Sequence, residues 1–125
     1  MNKISSVSRT EKYIPVKEEL LGIELLKAGP AGVSKLAMLE AYGETCLNTT
    51  ISHLGLNRGI NIARERRPHR HQNGGDTYFT WYWLPSRREA KKVLDMIWEF
   101  RKTRGETLKV GDYWQLFWLL DNFPE

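Results

Sequence analysis

The stretch YGETCLNTTISHLGLNRGINIARER, residues 42–66, decides the reading of this chain. Leu47, Ile51 and Leu54 fall at i, i+4 and i+7, so they share the buried stripe of one helix. Thr45 stands where it can cap that helix, and Gly55 and Gly59 lead out of it. The opposite face is polar: Asn48, Thr49, Ser52 and His53 are short side chains that hydrogen-bond. From Ile60 the pattern changes to an apolar–polar alternation running to Arg66, the period of a strand.

Working upstream, Val16, Leu20, Ile23 and Leu26 recur at helical spacing after Pro15, with Glu18 and Glu19 in the first turn and Gly29-Pro30 as a stop. Ser34 then caps a second helix whose apolar face is Leu36, Leu39, Ala41 and Tyr42, and Gly43 ends it. A helix-turn-helix is therefore expected at about residues 34–57. Downstream, a loop containing Pro68 and Asn73-Gly74-Gly75 separates the Ile60 strand from Thr77–Leu84, which is packed with β-formers. Those segments predict a hairpin at about residues 60–84. Ser86 and Glu89 have the spacing of a capping box before a fourth helix, with Ala90, Val93, Leu94, Ile97 and Trp98 as its stripe and Gly105 as its stop. The segment from Tyr113 to Leu120 is apolar nearly all round, which predicts burial on more than one side.

A length of 125 residues fits one domain with appendages. The fold class expected is α+β, mainly helical: a winged helix-turn-helix with a β-hairpin wing and additional C-terminal helices. Residues 1–14 read as a flexible arm, 15–84 as the winged domain, and 85–125 as a helical extension that packs on the wing or mediates dimerisation. Phe79, Trp81 and Trp83 alternate with Tyr78, Tyr82 and Leu84, so both faces of the second strand are apolar and need cover, within the chain or across a homodimer.

Charge points to a polyanion. The chain has 19 Lys and Arg against 15 Asp and Glu, a net charge of +4. Between Arg58 and His71 there are five arginines, Arg58, Arg64, Arg66, Arg67 and Arg70, against Glu65 alone. Such a cluster on a hairpin can follow a phosphate backbone or enter a narrow minor groove. The residues expected at a DNA interface are thus Thr45, Asn48, Thr49, Ser52 and His53 on the helix and those five arginines on the wing. Asn48 is the best base reader, because its amide can pair bidentately with adenine.

Other classes are disfavoured. The lone Cys46 precludes an internal disulfide and suits a reducing, cytoplasmic setting. No apolar run approaches the roughly 18 residues of a spanning helix, and the first residues lead into no signal-peptide core. His69-x-His71 with His53 and Cys46 matches no zinc pattern, so neither metal nor cofactor is expected. No paired carboxylates and no nucleophile with its base stand out, so no enzyme is predicted.

Tyr42-Gly43, then Leu47, Ile51 and Leu54, then Gly59, Ile60-Asn61-Ile62 and Tyr82-Trp83-Leu84 together resemble a family of small helix-turn-helix domains of bacteriophages, prophages and mobile elements. The resemblance covers roughly residues 32–84. It implies a sequence-specific binder of double-stranded DNA that regulates transcription or replication of such an element in a bacterial host cell. The alternative is a phage-encoded inhibitor of a host nucleic-acid enzyme or defence complex, such as an anti-CRISPR, directed at a host protein. The absence of Lys and Arg between Thr45 and Asn57 keeps that alternative open.

Overall fold

A computed structural model describes residues 15–70 and 73–125, with Arg70 by its backbone alone. The arm expected over residues 1–14, and His71, lie outside the described residues. The described elements are α1 (Lys17–Ala28), β1 (Val33–Ser34), α2 (Lys35–Tyr42), α3 (Leu47–Arg58), β2 (Ala63–Arg70), β3 (Asp76–Trp83), α4 (Arg87–Thr103) and α5 (Val110–Trp118), with a closing 3-10 turn at Leu119–Asn122. The strands form one antiparallel sheet in the order β1-β3-β2. The class is α+β and mainly helical. Among the described residues, no helix is long and apolar enough to cross a membrane.

Helix α1 is the centre of the core, but not with the expected face. Leu21, Leu25 and Leu26 are buried, while Val16 is 44% exposed and Leu20 and Ile23 only half-buried. So many apolar residues lie between 20 and 26 that spacing permits more than one rotation. Two features select the observed one. Gly22 lacks the Cβ that would meet Val93 and Met96 of α4 at 3.0 Å, so α4 closes tightly there. Glu19 points inward to a salt bridge with Arg101, at 3.5 Å, and to the Arg104 guanidinium, which also binds Glu106. A first-turn glutamate that sequence places outside is thus 1% exposed.

Helix α4 buries Ala90, Val93, Leu94 and Ile97 completely, as its stripe predicts. Ser86 caps it by accepting from the Glu89 N–H, but Glu89 does not complete the box. Its carboxylate accepts from the Asn61 N–H at 2.7 Å and from Lys92, tying α4 to the stem of β2. The first helix of the C-terminal extension, α4, packs along α1. The end of the extension returns to the start of α4, where Arg87 donates to the carbonyls of Leu120 and Phe123, and both of those side chains are buried.

Two further expectations need correction. α2 turns Met38 inward and leaves Leu36 and Leu39 45% and 47% exposed. Its rotation is set by buried Ser34, which caps it through the Ala37 N–H and also belongs to β1. α5 is not buried on several sides and holds no fully buried residue, because α4 offers it one face to lie on.

Glycine matters most at Gly32, which has φ of +81° and whose Cβ would stand 2.6 Å from the Tyr82 carbonyl oxygen. Only glycine lets β1 approach β3 here. The hairpin's first strand is shifted toward the tip: β2 begins at Ala63 rather than Ile60 and continues past Arg66 through Pro68 to pair Arg70 with Asp76. Proline fits because β2 is the edge of the sheet.

The Glu19 cluster gives a stability prediction. Arg104→Ala leaves a buried carboxylate without its main partner and should cost about 3–5 kcal/mol in urea unfolding. Lys102→Ala, two residues earlier and exposed, should change stability by less than about 0.5 kcal/mol.

Candidate nucleic-acid interface

The turn between α2 and α3 fixes which way α3 faces. Gly43 ends α2 in the left-handed conformation, its N–H bonding the Leu39 carbonyl and the Glu44 N–H reaching that of Met38. The Glu44 side chain then turns inward and has no exposed surface. Its oxygens accept from Thr50 Oγ1 at 2.8 Å, Tyr42 Oη at 2.9 Å and the Cys46 N–H at 3.2 Å, and Lys17 Nζ lies 3.4 Å away. Burial pushes this carboxyl up, but the three hydrogen bonds and the lysine charge outweigh burial and hold it below the usual carboxylate range. Burial first, and the bond to Glu44 second, raise the Tyr42 hydroxyl far above its ordinary value.

Thr45 is therefore not the cap of α3. The helix starts at Leu47, Cys46 stands at its N-cap without a side-chain bond, and Glu44 satisfies the Cys46 N–H instead. Leu47, Ile51 and Leu54 are no more than 2% exposed, and Thr50 is buried beside them. Thr45, Asn48, Thr49, Ser52 and His53 are all exposed, so the polar face stands where its spacing puts it.

The hairpin register sorts the wing residues onto two faces. Arg64 opposes Tyr82, Arg66 opposes Thr80 and Pro68 opposes Tyr78, so these share one face. On it Arg64 lies over the Tyr82 ring at 5.3 Å and Arg66 over Tyr78 at 5.4 Å. The other face carries Arg67, which lies over Trp81 and Trp83 at 5.4 and 5.3 Å, pairs with Glu65 at 2.8 Å and donates to the Ala31 carbonyl. His69 meets Phe79 edge-on beside it. This aromatic face of β3 is thus covered in part by an arginine of the neighbouring strand β2.

Arg58 is also diverted. It lies eleven residues, about three turns, after Leu47, so it falls on the core side of α3. There it pairs with Glu18 of α1 at 3.5 Å and stacks on Phe100 at 4.5 Å. Helical period had the information to place it, but the count of arginines along the chain hid it.

Two clefts flank the junction of α3 and the hairpin. One, of about 430 Å³, is lined by Thr45, Cys46 and Asn48 from the start of α3 and by Tyr78, Thr80 and Lys35. The other, of about 340 Å³, brings Ser52 and Leu56 of α3 against Ile62 and Arg64. Thr45 and Asn48 thus border the first cleft and Ser52 and Arg64 the second, with Asn48 and Ser52 one turn apart on α3, Arg64 over the Tyr82 ring that lines the first cleft, and Arg66 further along the same hairpin face. Thr49 and His53 are about 100° further round the helix. Arg70 is described only as the register partner of Asp76. Lys35, Tyr78 and Thr80 join the surface unforeseen, although the two-residue period already put Tyr78 and Thr80 on the face of Tyr82.

No family model matches the chain, no curated protein matches it, and no solved structure matches it.

Because the Glu44 carboxyl titrates below its ordinary value of 4.5, its ionised form stabilises the fold at neutral pH and that contribution disappears as pH falls through its folded value. Wild type should exceed Glu44→Gln in urea midpoint at pH 7, with the gap closing once pH drops under about 4.5. A gap independent of pH would refute this role.

Proposed function

We propose that this chain is a winged helix-turn-helix protein that binds double-stranded DNA with sequence preference, seating α3 in the major groove and laying the β2–β3 hairpin on the flanking backbone. The observation that carries this reading is that Asn48 and Ser52 stand one turn apart on the side of α3 whose clefts reach the hairpin, on the hairpin face that bears Arg64 and Arg66. The order helix, strand, two helices and a hairpin, with β3 central in the sheet, is what a winged helix needs to present both parts on one side.

Each residue type has a task. The Asn48 amide suits a bidentate pair with adenine, Ser52 and Thr45 suit base edges or phosphates, and Lys35, Arg64 and Arg66 suit phosphates. Stacking on Tyr82 and Tyr78 restrains the two guanidinium groups before DNA arrives, which lowers the entropy lost on binding. The motif resemblance to domains of bacteriophages and mobile elements supports a role in controlling transcription or replication of such an element.

The test is selection from random duplex DNA across a salt series. A steep salt slope with an enriched motif is expected, whereas weak binding without a motif would favour the inhibitor of a host protein. Arg64→Glu with Arg66→Glu should remove duplex binding, while Arg67→Gln, on the other face, should leave it little changed. Arg66→Ala alone should lower the salt slope by about 1, and Asn48→Ala should cost about 1–3 kcal/mol of discrimination at a single base pair. Undiminished binding by the double charge reversal would sink the assignment.

The only cysteine offers a check that alters no residue. Cys46 is exposed and borders the larger cleft, so a bulky maleimide on it should block duplex binding, and bound duplex should slow its labelling.

A further inference from the structure

Leu56 is 85% exposed, more than any other large apolar residue described, and it stands at the far end of the α3 face that carries Asn48 and Ser52. These three residues follow one another at intervals of four, so they form a single, gently winding ridge about 12 Å long. The core does not account for Leu56. The buried stripe of α3 is complete with Leu47, Ile51 and Leu54, and Leu56 lies about 140° round the helix from Ile51. Gly59 then ends α3 with its N–H on the Gly55 carbonyl, and the Ile60 N–H reaches that of Leu54, which draws the stem of the hairpin back beside the helix. Leu56 therefore borders the cleft of about 340 Å³, together with Ile62 and with the polar Ser52, Asn61 and Arg64.

Charge and size decide what meets this leucine. Among the described residues no carboxylate lines that cleft and Arg64 does, so the surroundings favour an anion. Glu89, which accepts from the Asn61 N–H, is buried and held by Lys92. One leucine offers far less than the roughly 300 Å² of contiguous apolar surface that marks a protein contact, and its neighbours Ile51 and Ile60 are themselves buried. The site thus calls for one small apolar group set within a polar, anionic surface. Duplex DNA has such a group, because the C5 methyl of thymine is the apolar feature among the base edges of the major groove. Against guanine, cytosine or adenine a leucine would strip water from a donor or acceptor without replacing its hydrogen bond.

We infer that Leu56 is a specificity-determining residue of the DNA surface and packs on the C5 methyl of a thymine. The inference rests on the DNA reading above and adds to it the second base that α3 selects. Successive base pairs are about 3.4 Å apart along the duplex, so a ridge of about 12 Å puts this thymine within about four base pairs of the adenine paired by Asn48.

The test takes the duplex enriched by selection and replaces its thymines one at a time by deoxyuridine, which lacks the methyl group and keeps every hydrogen-bonding atom. At one thymine, within about four base pairs of the adenine whose preference Asn48→Ala abolishes, the wild-type chain should lose about fourfold in affinity, the worth of one buried methyl. Leu56→Ala, a change at an exposed position that should keep the urea midpoint, should bind uridine and thymine there equally, whereas Asn48→Ala should retain the difference. Cytosine at that position should weaken wild-type binding, and 5-methylcytosine should recover about fourfold of the loss. An enriched motif in which no thymine responds to loss of its methyl, or a response that Leu56→Ala retains, would overturn this inference and leave the DNA reading standing. Absence of any enriched motif would overturn both.

Discussion

The orientation of α3 depends on a carboxylate that has no contact with solvent. Glu44 collects a hydroxyl from α2, a hydroxyl and the first amide from α3, and a lysine from α1. An ionised group buried without such partners would cost several kcal/mol, so any rotation of α3 that withdraws Thr50 is strongly disfavoured. With Thr50 inward, Asn48 and Ser52 must face the hairpin and Arg58 must fall against α1. A core constraint thereby sets the polar surface, although no core residue belongs to it.

Arginine number and arginine placement separate in this chain. Arg58 and Arg67 spend their charge on Glu18 and Glu65 and their planar surfaces on Phe100, Trp81 and Trp83. They act as cover for aromatic rings that an all-apolar layer would otherwise have to bury. Arg64 and Arg66 also lie on rings, but no carboxylate pairs with either among the described residues, so their charge stays directed at the α3 side. Exposed arginine over tyrosine covers the ring while its donors stay open, because the guanidinium is planar and weakly hydrated.

Elements with a single strong period were legible in the sequence. The stripes of α3 and α4, the Ser34 and Ser86 caps and the ends at Gly43 and Gly105 are as spacing predicts, whereas β2 begins only at Ala63, three residues after the alternation starts at Ile60. Segments rich in apolar residues were less so. In α1 and α2 several rotations bury a similar area, and the choice falls to partners distant in the chain: Arg101 and Arg104 for Glu19, and β3 for Ser34 through β1. The polar face of the interface was legible because it is the complement of the α3 stripe. The face of Arg67 was not legible, because the first strand is expected to end before Pro68 and a face can be assigned only once register is known. Glu44 was missed for a related reason: its burial depends on three partners, and no local pattern marks it.

Pro68 has a further consequence at the margin of the sheet. A free strand edge normally offers amides and carbonyls on which another strand can grow, and many proteins recruit peptides or copies of themselves that way. Here one edge is β1, two residues long, and the other is β2, interrupted by an imino acid and flanked by arginines. Neither can template an added strand. Among the described residues, association through backbone ladders is thus disfavoured, which leaves recognition chiefly to side chains.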